Sequence, residues 1–231
     1  MLSSTEDVEG LFEEVGEGLK RPVKAVVIGG AALMRYGLKD STKDIDIVCM
    51  NEEDREALFE AAQAVGCEIK CPEKRHKRFG LRRVVVKGKH TLDVFAGRIS
   101  SDFELSSSMV QRATQTNTFG NLTVGYASKE DILIMKLIAG REGDVEDCAN
   151  LVAADVDSDV YIGEIRRQYE RCLSEKELSE LEGVPKIWIT YIEEGVGRLE
   201  ERFNLSFEGA DAISELSDDW GKRGYINVNN E

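Results

Sequence analysis

Two short segments in the N-terminal part of the chain combine residue types that suit phosphate and metal chemistry. The first, VVIGGAA from Val26 to Ala32, is a β-branched run followed by two glycines and two alanines. Thirteen residues separate the second glycine from Asp44-Ile-Asp46-Ile-Val. Because strand side chains alternate between faces, Asp44 and Asp46 are expected on one face, about 7 Å apart. Two such carboxylates suit a pair of divalent cations, and the bare backbone N–H groups of Gly29 and Gly30 suit a phosphate. Together these features predict nucleotide chemistry.

A third carboxylate lies in a predicted β-hairpin. Residues 82–87 (RRVVVK) and 90–95 (HTLDVF) flank Gly88-Lys89, a two-residue connection typical of a type II′ turn. Asp93 stands between two apolar residues of the second strand, where burial of a lone carboxylate is costly unless metal ions lie beside it. Asp44, Asp46 and Asp93 are therefore the predicted catalytic and metal-binding residues. They fit two Mg²⁺ ions, for which Mn²⁺ can substitute, in a two-metal phosphoryl or nucleotidyl transfer.

Hydrophobic periodicity indicates which elements hold these residues. The pattern predicts strands and helices in mixed order up to about residue 125, and helices alone after that. We therefore expect an α+β fold, with a small mixed β-sheet core, flanking helices and an all-helical C-terminal part. The expected divisions are a core domain at 1–127, a helical domain at 128–220 and a flexible tail at 221–231.

Charge is distributed unevenly along the chain. The net charge of −14 arises within residues 142–231, which hold 9 Lys or Arg against 23 Asp or Glu, whereas residues 1–141 hold 21 of each. An acidic second part repels nucleic acid, so any polynucleotide contact is expected on the first part. The chain has no run of eighteen apolar residues, and its first ten residues are acidic, so we expect a cytoplasmic protein without a membrane partner.

A basic segment precedes the strand that carries Asp93. Residues 74–83 (KRHKRFGLRR) contain six Lys or Arg. One interpretation is a contact for RNA backbone or triphosphate through Arg75, Lys77 and Arg78, with Phe79 available for stacking. The alternative is a solvated loop and a charged edge strand, which discourages aggregation.

The two glycines, the Asp-x-Asp pair and the later acid between apolar residues resemble the signature of the DNA polymerase β-type nucleotidyltransferase superfamily. Longer segments are similar to an archaeal group of uncharacterised nucleotidyltransferases that is related to the abortive-infection nucleotidyltransferase toxins of toxin–antitoxin systems. This resemblance covers about residues 20–155. The segments that carry it are IGGAALMRYGLKDSTKDIDIV, LDVFAGRI, LSSSMVQRA and SKEDILIMKLIAGREGDVEDCANL.

The resemblance implies a nucleotidyltransferase fold, magnesium dependence and binding of an NTP such as ATP. It assigns the phosphates to Gly29 and Gly30 and a triphosphate contact to Lys136. By the same resemblance, Arg141, Asp144 and Asp147 are supporting partners of Lys136 at the start of the next helix.

Two lysines near the Asp-x-Asp pair are further candidates. Lys43 borders the same predicted cleft and is a candidate nucleotide contact, with an ordinary surface position as the alternative. The toxins place an arginine shortly before the threonine of their Thr-x-Asp-x-Asp segment. Here that stretch is Lys39-Asp40-Ser41-Thr42, so Lys39 is the basic residue available there.

Two functions follow as hypotheses. The first is an enzyme that transfers an NMP from an NTP to an acceptor hydroxyl, with RNA or tRNA favoured as the acceptor and a protein side chain as another possibility. The second is a catalytically inactive nucleotidyltransferase fold that acts as a binding or antitoxin-like partner. The sequence leaves the oligomeric state open.

Overall fold

The computed structural model describes residues 5–71, 81, 83–88, 90–100, 103–175 and 187–228. Its internal contacts divide the chain into two compact units, Met1–Ile132 and Leu133–Glu231. The division lies within helix α5 (Lys129–Ala139), whereas the sequence places the domain boundary directly before that helix.

The first unit contains one seven-stranded mixed sheet. Its strands are β1 (Val23–Ile28), β2 (Asp44–Cys49), β3 (Glu68–Lys70), β4 (Val84–Lys87), β5 (His90–Ala96), β6 (Thr114–Phe119) and β7 (Leu122–Tyr126). They lie in the order β3-β4-β5-β2-β1-β7-β6. β2 is parallel to β5 and β1 is parallel to β7, while the other neighbours are antiparallel.

Five helices among the described residues belong to this unit wholly or in part. They are α1 (Thr5–Gly18), α2 (Gly29–Arg35), α3 (Glu52–Ala64), α4 (Ser107–Arg112) and the start of α5. The Asn51 side chain accepts a hydrogen bond from the Asp54 N–H at 2.8 Å, which fixes the start of α3. Ser128 Oγ accepts one from the Asp131 N–H at 3.2 Å, which fixes the start of α5.

The alternation of β2 separates core from site. Ile45 and Ile47 are fully buried, and α3 contacts this strand and its neighbours. Asp44 and Asp46, at the intervening positions, are half-buried. The apolar face of the strand therefore belongs to the core and the acidic face is left for the site.

Beyond α5, the described residues of the second unit lie in helices and in the short connections between them. They form α6 (Glu142–Ala153), α7 (Ser158–Glu175), α8 (Trp188–Phe203) and α9 (Ala210–Val228). The predicted α+β class with an all-helical C-terminal part is thus confirmed. Helix α9 extends into the segment that the sequence predicts as a flexible tail. Among the described residues, no helix has the length and apolar character needed to cross a bilayer.

Candidate functional site

The pairing of β2 with β5 brings two of the predicted acids side by side. Asp46 is the direct partner of Asp93, and Asp44 is the partner of Thr91. Directly opposed residues of neighbouring strands project from the same face of the sheet. Asp44, two residues before Asp46, projects from that face as well. The fold therefore places all three predicted acids on one face of two adjacent strands.

The three carboxylates differ in burial. Asp93 is 2% exposed and lies between β2 and β4, where its other partner is Val84. Asp44 begins β2 and is half-buried. In the part of the chain that the structure describes, no three His, Cys, Asp or Glu side chains already converge as a metal-binding group. The candidate site is therefore defined by which strands pair and by how deeply each of the three acids is buried.

The glycine turn lies against this acidic face. Ile28, the last residue of β1, is the partner of Asp46, and Gly29 follows with φ of 64°. A Cβ atom added to Gly29 would lie 2.5 Å from Asp46 Oδ2. Only glycine combines this backbone conformation with so close an approach. The turn predicted to receive phosphates is therefore in contact with the central acid of the site.

The next residue of the turn contacts the segment that leads into β2. A Cβ atom added to Gly30 would lie 2.5 Å from Thr42 Oγ1 and 3.8 Å from Lys39 Cδ. Thr42 Oγ1 donates a hydrogen bond to the backbone carbonyl of Asp44 at 3.0 Å. Lys43, between these two residues, has an exposed side chain. Sequence reasoning did not select Thr42 as a site residue, although a hydroxyl two residues before Asp44 is placed to reach that carbonyl.

The second unit places Lys136 in a buried ion network. Lys136 Nζ lies 2.7 Å from Asp144 Oδ1 and 2.8 Å from Asp147 Oδ2, and its side chain is 8% exposed. Arg141 adds a 2.8 Å contact from Nε to Asp144 Oδ2 and a hydrogen bond from its backbone N–H to the same oxygen at 3.1 Å. The four residues that the resemblance groups together are thus joined. Contact between Lys136 and a triphosphate stays a prediction.

The network shifts the pKa values of its members. Burial lowers the pKa of Lys136 and is the largest single effect, but the carboxylates of Asp144 and Asp147 outweigh it, so the pKa is raised. For Asp144, burial is again the largest single effect and raises the pKa. The positive charges of Lys136 and Arg141, with their hydrogen bonds, outweigh it, so the pKa of Asp144 is lowered. Both groups therefore remain charged across the neutral pH range.

Most of the basic segment lies outside the described residues. Arg75, Lys77 and Arg78 are in that undescribed part. Arg83, at its C-terminal end, is described. Its guanidinium forms an ion pair with Glu56 and lies 4.3 Å from the ring centroid of Phe59, both on α3. The positive charge of Arg83 is therefore paired with a glutamate on a helix of the same unit.

The contact between Gly29 and Asp46 predicts the effect of Gly29→Ala. Gly37 is a matched control, because its φ is 69° and an added Cβ would meet nothing within 4 Å. Both alanine variants carry the left-handed strain of about 1–2 kcal/mol. Only Gly29→Ala also crowds a neighbour, which costs roughly 1–3 kcal/mol more. Urea unfolding measures the difference, and equal losses in the two variants would contradict this geometry.

The ion network predicts that Lys136→Met is strongly destabilising, because the buried carboxylates of Asp144 and Asp147 lose the ammonium group that they share. We expect a loss of about 3–5 kcal/mol in the free energy of unfolding. Lys20→Met, at an exposed lysine, is the control and should be nearly neutral.

Linkage adds a pH test for the same network. The folded-state pKa of Asp144 is depressed, so its stabilisation is present above its unfolded pKa and is lost as the pH falls through the folded value. Urea unfolding from pH 7 downwards measures this loss. The acid-induced loss should be smaller in Asp144→Asn, and identical pH profiles for that variant and the wild type would contradict the assignment.

Comparisons with known proteins identify a family for the chain and structures with a similar fold. A similar fold occurs in the solution structure of the antibiotic-resistance factor ANT(2'')-Ia (TM-score 0.50, 14% identity, 74% of this chain and 97% of that chain). Weaker matches are the crystal structure of ANT(2'')-Ia with adenylyl-2''-tobramycin (TM-score 0.43, 14% identity, 64% and 88%) and an antigenic nucleotidyltransferase-like protein from Paracoccidioides brasiliensis (TM-score 0.40, 16% identity, 74% and 84%). Curated protein sequences give no significant match. Residues 6–194 match the family model described as "Nucleotidyltransferase of unknown function (DUF6036)". The chain belongs to this nucleotidyltransferase family, and this membership supports the predicted nucleotidyltransferase superfamily.

Proposed function

We propose that this protein is a Mg²⁺-dependent nucleotidyltransferase that moves an NMP from an NTP to an acceptor hydroxyl and releases pyrophosphate. The observation that carries the proposal is the register of β2 on β5, in which Asp46 lies opposite Asp93. Family membership supports nucleotidyl transfer in general. The shared face of the three acids, with the glycine turn against Asp46, supports this position as the site.

The acids suit magnesium by their chemistry. Carboxylate oxygens are hard ligands of the kind that Mg²⁺ prefers. In our proposal Asp44 and Asp46 would hold both ions and Asp93 would hold the catalytic one. The chemistry that Mg²⁺ supplies when bound is neutralisation of charge on the phosphates and activation of the acceptor hydroxyl.

The residues of this chain would bind and orient the reactants. The acceptor oxygen forms a bond to the α-phosphorus as the bond from that phosphorus to the bridging oxygen breaks, and the electron pair leaves with pyrophosphate. Asp93 would orient the acceptor and accept its hydroxyl proton. The N–H groups of Gly29 and Gly30 would bind phosphate oxygens. Lys43 would add a cation at the exposed edge, and Lys136 is the contact that the resemblance adds.

We propose a closer relationship to the abortive-infection nucleotidyltransferase toxins on the strength of the shared segments. The alternative is a catalytically inactive fold that serves as a binding or antitoxin-like partner. Two observations favour the alternative: the net charge of the chain arises entirely within residues 142–231, and Asp40 stands exposed where the toxins have a basic neighbourhood. Binding of an NTP with magnesium separates the two functions.

The proposal predicts that Asp46→Asn abolishes transfer without unfolding the protein. Loss of one central ligand should lower the rate about a thousandfold or more. Asp40→Asn, an equal change at an exposed residue, is the control and should keep full activity. Calorimetric titration with a non-hydrolysable NTP and Mg²⁺, together with pyrophosphate release, measures both steps. A wild-type protein that binds no nucleotide would refute the enzyme and leave the binding-partner function.

We further propose RNA as the acceptor, on the basis of the basic segment at 74–83. A free nucleotide needs only a few cationic contacts, so six basic residues are better explained if several backbone phosphates are also held. The segment leads directly into β4, which pairs with the strand of Asp93. Because Arg83 is engaged with α3, the proposal rests on Arg75, Lys77 and Arg78.

Replacing Arg75, Lys77 and Arg78 with glutamate should weaken RNA binding steeply, reduce the salt-dependence slope by up to about 3, and spare NTP binding. The control replaces the exposed residues Lys20, Arg166 and Lys222 with glutamate, which makes the same change in net charge. Filter binding at several salt concentrations measures the slope. An unchanged slope would exclude RNA as the acceptor. Incubation of the protein with a labelled NTP and a cell lysate is a second test, and transfer of the label to protein instead of RNA would also exclude it.

A further inference from the structure

Thr42 lies between the two parts of the candidate site. It is half-buried and stands two residues before β2. Its hydroxyl donates to the backbone carbonyl of Asp44, the first residue of the strand that bears the acids. Such a bond from side chain to backbone restricts the local conformation of the chain. The start of β2 is therefore held by this hydroxyl.

The same side chain limits the approach of the glycine turn. A Cβ atom at Gly30 would lie 2.5 Å from Thr42 Oγ1 and 3.0 Å from Thr42 Cβ. Gly30 is buried at the start of α2, so the turn has little room to move away. Thr42 thus contacts the turn on one side and holds Asp44 on the other.

We infer that Thr42 is a positioning residue that sets the distance between the glycine turn and the acid pair. This inference rests on the proposed function, since that distance matters only if phosphates and metal ions bind there together. The turn already contacts Asp46 through Gly29, and Thr42 supplies a second, independent connection through Gly30. With both connections the phosphate-binding N–H groups and the carboxylates are fixed before substrate binds, which lowers the cost of binding.

The hydroxyl is tested with Thr42→Val, which keeps the shape of the side chain and removes the donor, and with Thr42→Ser, which keeps the donor. Thr118→Val is the control, because Thr118 has an exposed hydroxyl bonded to Thr123. Calorimetry with a non-hydrolysable NTP and Mg²⁺ gives Kd, and thermal unfolding gives Tm. Thr42→Val should weaken binding about tenfold, and Thr42→Ser should stay within about twofold of the wild type. The Tm of Thr42→Val should match that of Thr118→Val.

Wild-type affinity in Thr42→Val would overturn the inference. Equal weakening in Thr42→Ser, or a loss of affinity that only follows a loss of Tm, would overturn it as well.

The contact with Gly30 is tested by a double-mutant cycle on unfolding, which does not depend on nucleotide. If the two residues touch as described, Gly30→Ala should lower Tm less in the Thr42→Ala background than in the wild type. Gly10→Ala, at a helical glycine with open space around it, is the control and should give the same shift in both backgrounds. Additive effects of Gly30→Ala and Thr42→Ala would overturn the positioning role alone. A wild-type protein that binds no nucleotide would overturn the proposed function and this inference together.

Discussion

The pairing of two acidic residues across neighbouring parallel strands is the constraint on which the candidate site depends. Asp46 and Asp93 are direct partners on β2 and β5, and Asp93 is 2% exposed. Like charges directly opposite each other in a sheet repel, and burial weakens the screening that water would provide. In our proposal a bound cation would offset this repulsion, so the pairing supports the proposed site for metal and phosphate.

The glycine turn lies beside that pairing. The antiparallel pair of β1 and β2 brings the end of β1 opposite Asp46, so that the glycine turn meets the carboxylate. The buried network of Lys136, Asp144 and Asp147 joins α5 to α6 within the second unit. The turn therefore belongs to the site by direct contact, while Lys136 is tied to its own unit by two ion pairs.

The sequence predicted the local parts of this arrangement well. The β-branched runs at β1 and β2, the two glycines and the Asp-x-Asp alternation are short-range signals, and the strands and helices formed there as expected. The position of Asp93 opposite Asp46 could not be read locally, because it depends on which strand becomes the neighbour of β2. The sequence pattern does not indicate β3 or β6, because β3 has only three residues and the polar TQTNTF of β6 lacks the apolar alternation of a half-buried strand. The partners of Lys136 lie on the following helix, so their contact is tertiary as well.

The central claim is that Asp44, Asp46 and Asp93 form one metal site beside the glycine turn. Anomalous diffraction from crystals of the protein soaked with Mn²⁺ and a non-hydrolysable NTP tests it most directly. We expect manganese bound by oxygens of these three carboxylates, with the phosphates of the nucleotide against Gly29 and Gly30. Manganese bound elsewhere, or a lysine or arginine side chain that fills the space between the three acids in the presence of the metal, would contradict the account.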